Sequence, residues 1–359
     1  MAYCCPGPQG VQENPPCSPA RFQIPRTLFS DGEKKQYAIV TLLMMGDSYL
    51  PGALMLARSL REASPRLSSE VDLVCMVTAD VSAVARADLA TEFDRVDAVD
   101  YIEHPPERIR HRSPAVRKVY AKTFTKLRCM GPAYSRYRKV LLMDADMLVP
   151  SGRPEIFSLF ELEPPAAVFF GCLRPFFPAQ FADHVATYCP HLRHGELVPR
   201  HLFTDKRCAA VNRSPIQTKT KKEGNKRIYV GMETSIVLLE PNASDLASMQ
   251  QVLARDAAAS KTQAWINGDT ALLSKHYEGR WRHVDMRFLG RWTDPVERPE
   301  VFTIDLYGSE GKPWDVAAKP ELRRYPDIAY WLSTYKKAYK RRFSKTCKHP
   351  LIVVDFNRR

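Results

Sequence analysis

The sequence predicts an α/β protein built around a mixed, mostly parallel sheet. Apolar runs alternate with helical patterns between residues 37 and 143, and two aspartates follow the fourth apolar run directly. Such alternation is typical of a parallel sheet with helices on both faces. The chain has 359 residues, of which 45% are hydrophobic and 26% are charged, and this composition suits a folded domain with a substantial core.

The first half of the chain supplies most of the regular pattern. The predicted strands are Tyr37–Met44, Val71–Val77, Val96–Tyr101 and Val140–Met143. The segment Gly52–Ala63 has its apolar residues on one helical face, and we expect a second helix over Val81–Phe93 with Asp80 as its cap.

The second half is less regular. Strands are predicted at Ala166–Phe170 and Thr234–Glu240, and helices at Ser244–Ser260 and Gly268–Tyr277. Between the two strands, at about residues 172–229, lies a polar insertion that is typical of a surface loop or lid.

These patterns predict one large domain with a tail at each end. Residues 1–35 are rich in proline and are expected to be a flexible tail, residues 36–330 form the domain, and residues 331–359 form a basic C-terminal tail.

The composition indicates the cellular compartment and the kind of binding partner. No run approaches the roughly 18 apolar residues of a membrane helix, and the N-terminus lacks the apolar core of a secretion signal. Nine cysteines without CxxC spacing favour a reducing, intracellular compartment, most simply the cytoplasm. The net charge of +13 suggests an anionic partner, such as a nucleotide, a phosphate, a nucleic acid or a membrane surface.

Asp144 and Asp146 end a predicted buried strand. Ligands bind beyond the carboxyl ends of parallel strands, and residues two apart in an extended segment point the same way. Two carboxylates on one side suit Mg²⁺ or Mn²⁺. The alternative is a solvated strand end without a metal.

Four blocks of sequence add to this interpretation, and they are Val40–Leu60, Thr125–Met130, Val140–Val149 and Gly311–Asp315. In this order and at these separations they resemble the glycogenin-like retaining glycosyltransferases of family 8, virus-encoded relatives included. The resemblance extends from about Tyr37 to Asp315. It implies a single GT-A type nucleotide-diphospho-sugar transferase domain with a Rossmann-like sheet.

The resemblance also implies a donor, a cofactor and an acceptor. A UDP-sugar would donate a hexose, glucose or galactose, with Mn²⁺ (or Mg²⁺) on its diphosphate. The acceptor would be a glycan, a protein or a small molecule, and the resemblance leaves room for a homodimer.

Donor contacts in the first half follow from the family's motif. Thr41 and Leu42 would line the uracil, Asp47 would contact the nucleoside, and Tyr49 would stack on the base. Lys126 matches a basic residue near the donor. The structural alternatives are a core aromatic for Tyr49 and a solvated helix lysine for Lys126.

Further contacts are implied by the second half. The family's His-x-x-Gly-x-x-Lys-Pro-Trp pattern reads "DLYGSEGKPW" here, so that Gly308 and Lys312 would meet phosphate. Asp305 stands at the histidine position and would be the third metal ligand beside Asp144 and Asp146, or else a strand-end aspartate. Asp269 would face the donor sugar and the acceptor, or simply cap a helix, and Asn267 is a second candidate there.

One block departs from the family. Glu233, Thr234 and Ser235 stand where the family has Asn-Ser-Gly or Asn-Ala-Gly, so the amide and the glycine that approach the sugar are missing. An inactive relative that works by binding therefore remains an alternative to an enzyme.

Two other functional classes are less favoured. A sugar-phosphate nucleotidylyltransferase would need a glycine-rich basic loop after the first strand, which this chain lacks. Nucleic-acid binding through Lys336–Lys348 is not favoured, because a terminal charge run is more often a solvated end.

Overall fold

The structure is a computed structural model, and it describes residues 35–64, 70–111, 113–170, 192–200, 231–259, 265, 268–306 and 311–339. Most of the predicted insertion, the N-terminal tail up to residue 34, the chain from residue 340, Asn267 and Gly308 lie outside the described residues.

A seven-stranded mixed sheet forms the centre of the described chain, with strand order β3-β2-β1-β4-β7-β6-β8. Its strands are β1 Tyr37–Leu43, β2 Val71–Val77, β3 Arg95–Ala98, β4 Lys139–Met143, β6 Ala166–Phe170, β7 Gly231–Leu239 and β8 Arg282–His283. Four of the six neighbouring pairs are parallel, and β7 runs antiparallel to both β4 and β6. A separate antiparallel pair joins β5 Met147–Leu148 to β9 Ile304–Asp305. The predicted α/β class with a mostly parallel sheet is confirmed.

Six α-helices surround the sheet in the part of the chain that the structure describes. They are α1 Leu50–Ala63, α2 Ala83–Leu89, α3 Pro114–Tyr120, α4 Ala243–Ala258, α5 Asp269–His276 and α6 Pro326–Tyr339. Short 3₁₀ turns, among them Thr123–Met130 and Pro313–Asp315, complete the connections.

Burial explains why the central strands consist mostly of apolar residues. Every residue of β2 and β7 is buried, as expected for strands covered on both faces. Helix α1 packs closely against Ala145 and Trp314. A Cβ at Gly52 would collide with the carbonyl oxygen of Ala145 and with the Trp314 ring. Glycine at this position therefore lets α1 approach the backbone between the two strand-end aspartates.

The predicted cap of α2 was wrong. Ser82 caps this helix, and its hydroxyl accepts a hydrogen bond from the amide of Ala85. Asp80 instead accepts from the hydroxyls of Thr78 and Tyr101. The shorter serine side chain stands directly before the helix, where a cap can reach the first-turn amides.

The C-terminal helix α6 belongs to the core. Trp331 is fully buried, and its ring lies 4.9 Å from that of Tyr335 and 5.8 Å from that of Trp314. The predicted start of a basic tail at residue 331 thus falls inside a packed helix. None of the described helices combines the length and the apolarity that a membrane crossing requires.

Candidate active site

The two aspartates that follow β4 are fixed by backbone pairing on both sides. The amide of Asp144 donates to the carbonyl of Ser235 in β7 at 2.9 Å, and the carbonyl of Asp146 accepts from the amide of Leu306 at 3.0 Å. Next along the chain, Met147 pairs with Asp305 across β5 and β9. The site therefore lies between the end of β4, strand β7 and strand β9.

Lys126 joins two of the predicted acidic residues. Its Nζ lies 2.5 Å from Oδ1 of Asp144 and 3.5 Å from Oδ2 of Asp269. Residue 268, which precedes Asp269, has φ +54° and lies so close to Thr123 that a Cβ would collide with the Thr123 hydroxyl. Only glycine fits this conformation and this space without strain, so Gly268 allows Asp269 to lie beside Lys126. Asp269 is buried and begins α5 as its first residue, while Gly268 occupies the cap position.

Lys312 forms an ion pair with Asp146, as Lys126 does with Asp144. Its Nζ lies 2.5 Å from Oδ2 of Asp146 and donates to the carbonyl of Leu306 at 2.8 Å. The ring of Tyr49 stands 5.9 Å from this Nζ and 5.3 Å from the Trp314 ring, in an edge-on arrangement. Helix α1, the D-x-D end of β4 and the Lys-Pro-Trp turn therefore converge.

Burial and the crowding of charges shape the protonation of this site. Burial raises the pKa of Asp144 to about 7, and the carboxylates of Asp146 and Asp269 act in the same direction against Lys126. Burial opposes ionisation of Asp146 as well, but Lys312 outweighs it and lowers the pKa of that carboxyl. Burial also raises the pKa of Tyr49 to about 12, so its hydroxyl is protonated at neutral pH.

A third cluster surrounds Asp305. Oδ2 of this carboxylate accepts from Nε of Arg291 at 2.7 Å and lies 2.5 Å from its Nη2. The same Nη2 lies 3.1 Å from Oε2 of Glu233, and the Ser235 hydroxyl stands 3.1 Å from both carboxylates. Sequence reasoning missed Arg291. Its one signal is a charged residue inside the otherwise apolar "FLGRW", which a buried ion pair would explain.

The donor set has the chemistry of a divalent-cation site. Five carboxylates face three cationic groups in the combined clusters, so that, fully ionised, these side chains carry two net negative charges. Asp144 and Asp146 supply the oxygen ligands that Mg²⁺ and Mn²⁺ prefer. Within the described ranges, however, no three His, Cys, Asp or Glu side chains are grouped as ligands of one ion.

The residues predicted to meet the nucleoside lie at the end of β1. Thr41 and Leu42 are buried, and the Thr41 hydroxyl has no hydrogen-bond partner among the described residues. Oδ1 of Asp47 accepts from the amide of Ser82 at 2.9 Å, which ties two loops together. Tyr101, which the motifs did not indicate, accepts from the amide of Met45 at 3.0 Å. Contact of these residues with a nucleoside stays a prediction.

The chain has relatives among curated proteins. Uncharacterized protein R707 of Acanthamoeba polyphaga mimivirus is 23% identical over 326 residues, which are 86% of this chain and 96% of that protein. Human glycogenin-2 is 33% identical over 170 residues, 46% of this chain and 30% of glycogenin-2. Glycogenin-1 of Caenorhabditis elegans is 33% identical over 117 residues, 32% of this chain and 25% of that protein. The match thus spans less than a third of either glycogenin.

Two solved structures also resemble the chain at 14% identity. One is the bifunctional glycosyltransferase WbbM, with a TM-score of 0.49 over 88% of this chain and 53% of that one. The other is the galactosyltransferase LgtC, with a TM-score of 0.46 over 84% of this chain and 95% of that one. No protein-family model matches the chain. The chain therefore shares partial sequence similarity with the glycogenins, and its described residues form an α/β fold around a mixed, mostly parallel sheet.

Proposed function

We propose that this protein is a metal-dependent retaining glycosyltransferase that moves a hexose, glucose or galactose, from a UDP-sugar to an acceptor hydroxyl. The observation that carries the proposal is the pair of strand-end carboxylates, each 2.5 Å from a lysine, with Asp269 beside them. The glycogenin relatives support the same reaction class.

Asp144 and Asp146 would hold a Mn²⁺ or Mg²⁺ ion, which when bound supplies Lewis-acid stabilisation of the leaving diphosphate. Lys126 and Lys312 add fixed positive charge at the same place, and such preorganised charge favours a transition state in which negative charge develops. The family motif adds the amide of Gly308 to these phosphate contacts.

The remaining residues would bind and orient the two substrates. Asp269, buried beside Lys126, faces the transferred sugar and the acceptor, with Asn267 next to it in the motif. The uridine would lie against the end of β1, where Tyr49 is 36% exposed. Thr41, Leu42 and Asp47 complete that subsite in the proposal.

The first test removes the two metal carboxylates together. The double substitution Asp144→Asn with Asp146→Asn keeps side-chain size but removes two anionic ligands. We expect calorimetry to detect no Mn²⁺-dependent UDP binding, while circular dichroism shows a folded protein. Glu107→Gln, which removes an exposed carboxylate, is the control and should bind as the unaltered protein does. Unchanged binding by the double variant would overturn the metal assignment.

A second candidate function is an inactive relative that binds nucleotide, and the replaced Glu233–Ser235 block favours it. The two candidates differ in donor hydrolysis. An enzyme should slowly release UDP from UDP-glucose or UDP-galactose when Mn²⁺ is present. A binding protein should hold the same donors and release none.

A further inference from the structure

We infer that Arg291 is a positioning residue that holds Glu233 and Asp305 together and so keeps Asp305 out of the metal site. Asp144 and Asp146 would then be the carboxylates that bind the ion. The inference rests on the proposed function, because it specifies which residues of that site meet the metal.

The geometry joins two departures from the family motif that lie far apart in the sequence. Asp305 stands at the position of the family's histidine, and Glu233 begins the altered block in β7. Both carboxylates contact one guanidinium, at 2.5 Å for Asp305 and 3.1 Å for Glu233. One ion cluster, centred on Arg291, therefore connects both replaced positions.

The ion cluster of Arg291, Asp305 and Glu233 is buried, and its side chains are held by hydrogen bonds. Arg291 is 4% exposed and Asp305 is 2% exposed, so a broken pair would leave buried charges without compensation. Two donors of Arg291 and the Ser235 hydroxyl converge on one oxygen, Oδ2 of Asp305. Turning Oδ2 of Asp305 toward an ion would give up two charge-assisted contacts with Arg291 and one with Ser235, whereas Asp144 and Asp146 each pair with one lysine ammonium.

The backbone around Arg291 is held in place by its neighbours. The amide of Gly290 donates to the carbonyl of Thr303 at 2.9 Å, and the amide of Asp305 donates to the carbonyl of Gly290 at 2.7 Å. Trp292 has φ +48°, a conformation that a bulky residue rarely adopts, and its amide donates to Asp327 at 3.0 Å. Strain of this kind persists where the surroundings determine the conformation, so Arg291 is presented rigidly to its two carboxylates.

The decisive experiment measures Mn²⁺ affinity by electron paramagnetic resonance, in the presence of UDP, for Asp144→Asn and Asp305→Asn. We expect Asp144→Asn to weaken Mn²⁺ binding at least about tenfold, because it removes a ligand. Asp305→Asn should change the affinity by less than about threefold, because Arg291 holds the Asp305 carboxylate through its Oδ2. Equal losses for the two variants would overturn the inference and leave the proposed function standing. No loss for either variant would remove the proposed metal site itself, and the inference with it.

A second comparison tests the role of Arg291. Arg291→Gln releases the carboxylate of Asp305, so Mn²⁺ affinity should then depend on that residue. Adding Asp305→Asn to Arg291→Gln should weaken Mn²⁺ binding at least about threefold, whereas the same change with Arg291 present should not; such non-additivity marks coupled residues. Arg291→Lys keeps the positive charge but loses the paired guanidinium donors, so Mn²⁺ affinity should depend on Asp305 to an intermediate extent. Equal effects of Asp305→Asn in both backgrounds would show that Arg291 does not position it.

Discussion

We predict that His283 makes the stability of the fold depend on pH. It lies in β8, is 3% exposed, and its Nδ1 accepts a hydrogen bond from the amide of Phe169 in β6 at 3.2 Å. This bond requires Nδ1 to be unprotonated. Burial lowers the pKa of His283 to about 4, with a further lowering from His194 and an opposing effect of Asp285.

The direction in which the unfolding free energy changes with pH follows from proton uptake by the two states. Between pH 6.5 and pH 4 the unfolded chain protonates this imidazole, whereas the folded protein does not. The unfolded state binds more protons there, so the stability present above pH 6.5 is lost as the pH falls. A lowering from 6.5 to about 4 corresponds to about 3 kcal/mol of unfolding free energy, at about 1.4 kcal/mol for each pH unit.

The perturbation is His283→Gln, whose amide oxygen can still accept from Phe169. Urea unfolding followed by circular dichroism at pH 7, 6, 5 and 4 gives the unfolding free energy of both proteins. The advantage of the unaltered protein over the variant should shrink by about 3 kcal/mol between pH 7 and pH 4, because only the histidine titrates. A gap that stays constant with pH would refute the reasoning.

Two further predictions concern the packing and the charge of the site. Gly52→Ala gains about 1 kcal/mol of helix propensity, but its Cβ collides with Ala145 and Trp314 and should cost about 1–3 kcal/mol. Because Ala145 separates the two metal carboxylates, calorimetry should show weaker Mn²⁺–UDP binding, and an unchanged affinity would contradict the packing argument. Lys312→Met removes the ammonium that lies 2.5 Å from Asp146. Mn²⁺ alone should bind more tightly and UDP more weakly, and a parallel loss of both affinities would speak against competition between the lysine and the ion.

The local sequence patterns were sufficient to predict most strands of the sheet. The apolar runs at residues 71–77 and 166–170 form strands with the predicted bounds. A buried strand can be predicted in this way because its apolar residues are consecutive in the sequence. The helix after residue 80 was predicted with the wrong cap. Ser82 and Asp80 are both good capping residues, but Ser82 stands directly before the helix, and Asp80 accepts hydrogen bonds from the hydroxyls of Thr78 and Tyr101.

The predicted site was assembled in part. Lys126 lies close to Asp144 and Asp269, and Lys312 lies close to Asp146. Asn267 and Gly308 lie outside the described residues, and the roles assigned to the others stay predictions.

The sequence by itself determined the α/β class, the doubly acidic end of β4 and the partial similarity to the glycogenins, because each of these depends on residues close together in the chain. Only the tertiary structure decided the antiparallel placement of β7 between β4 and β6, which brings Glu233 to Arg291 and Asp305. It also decided that α6 packs into the core. Charges pair through space with whichever group the fold brings within a few ångströms, and no local pattern records that partner.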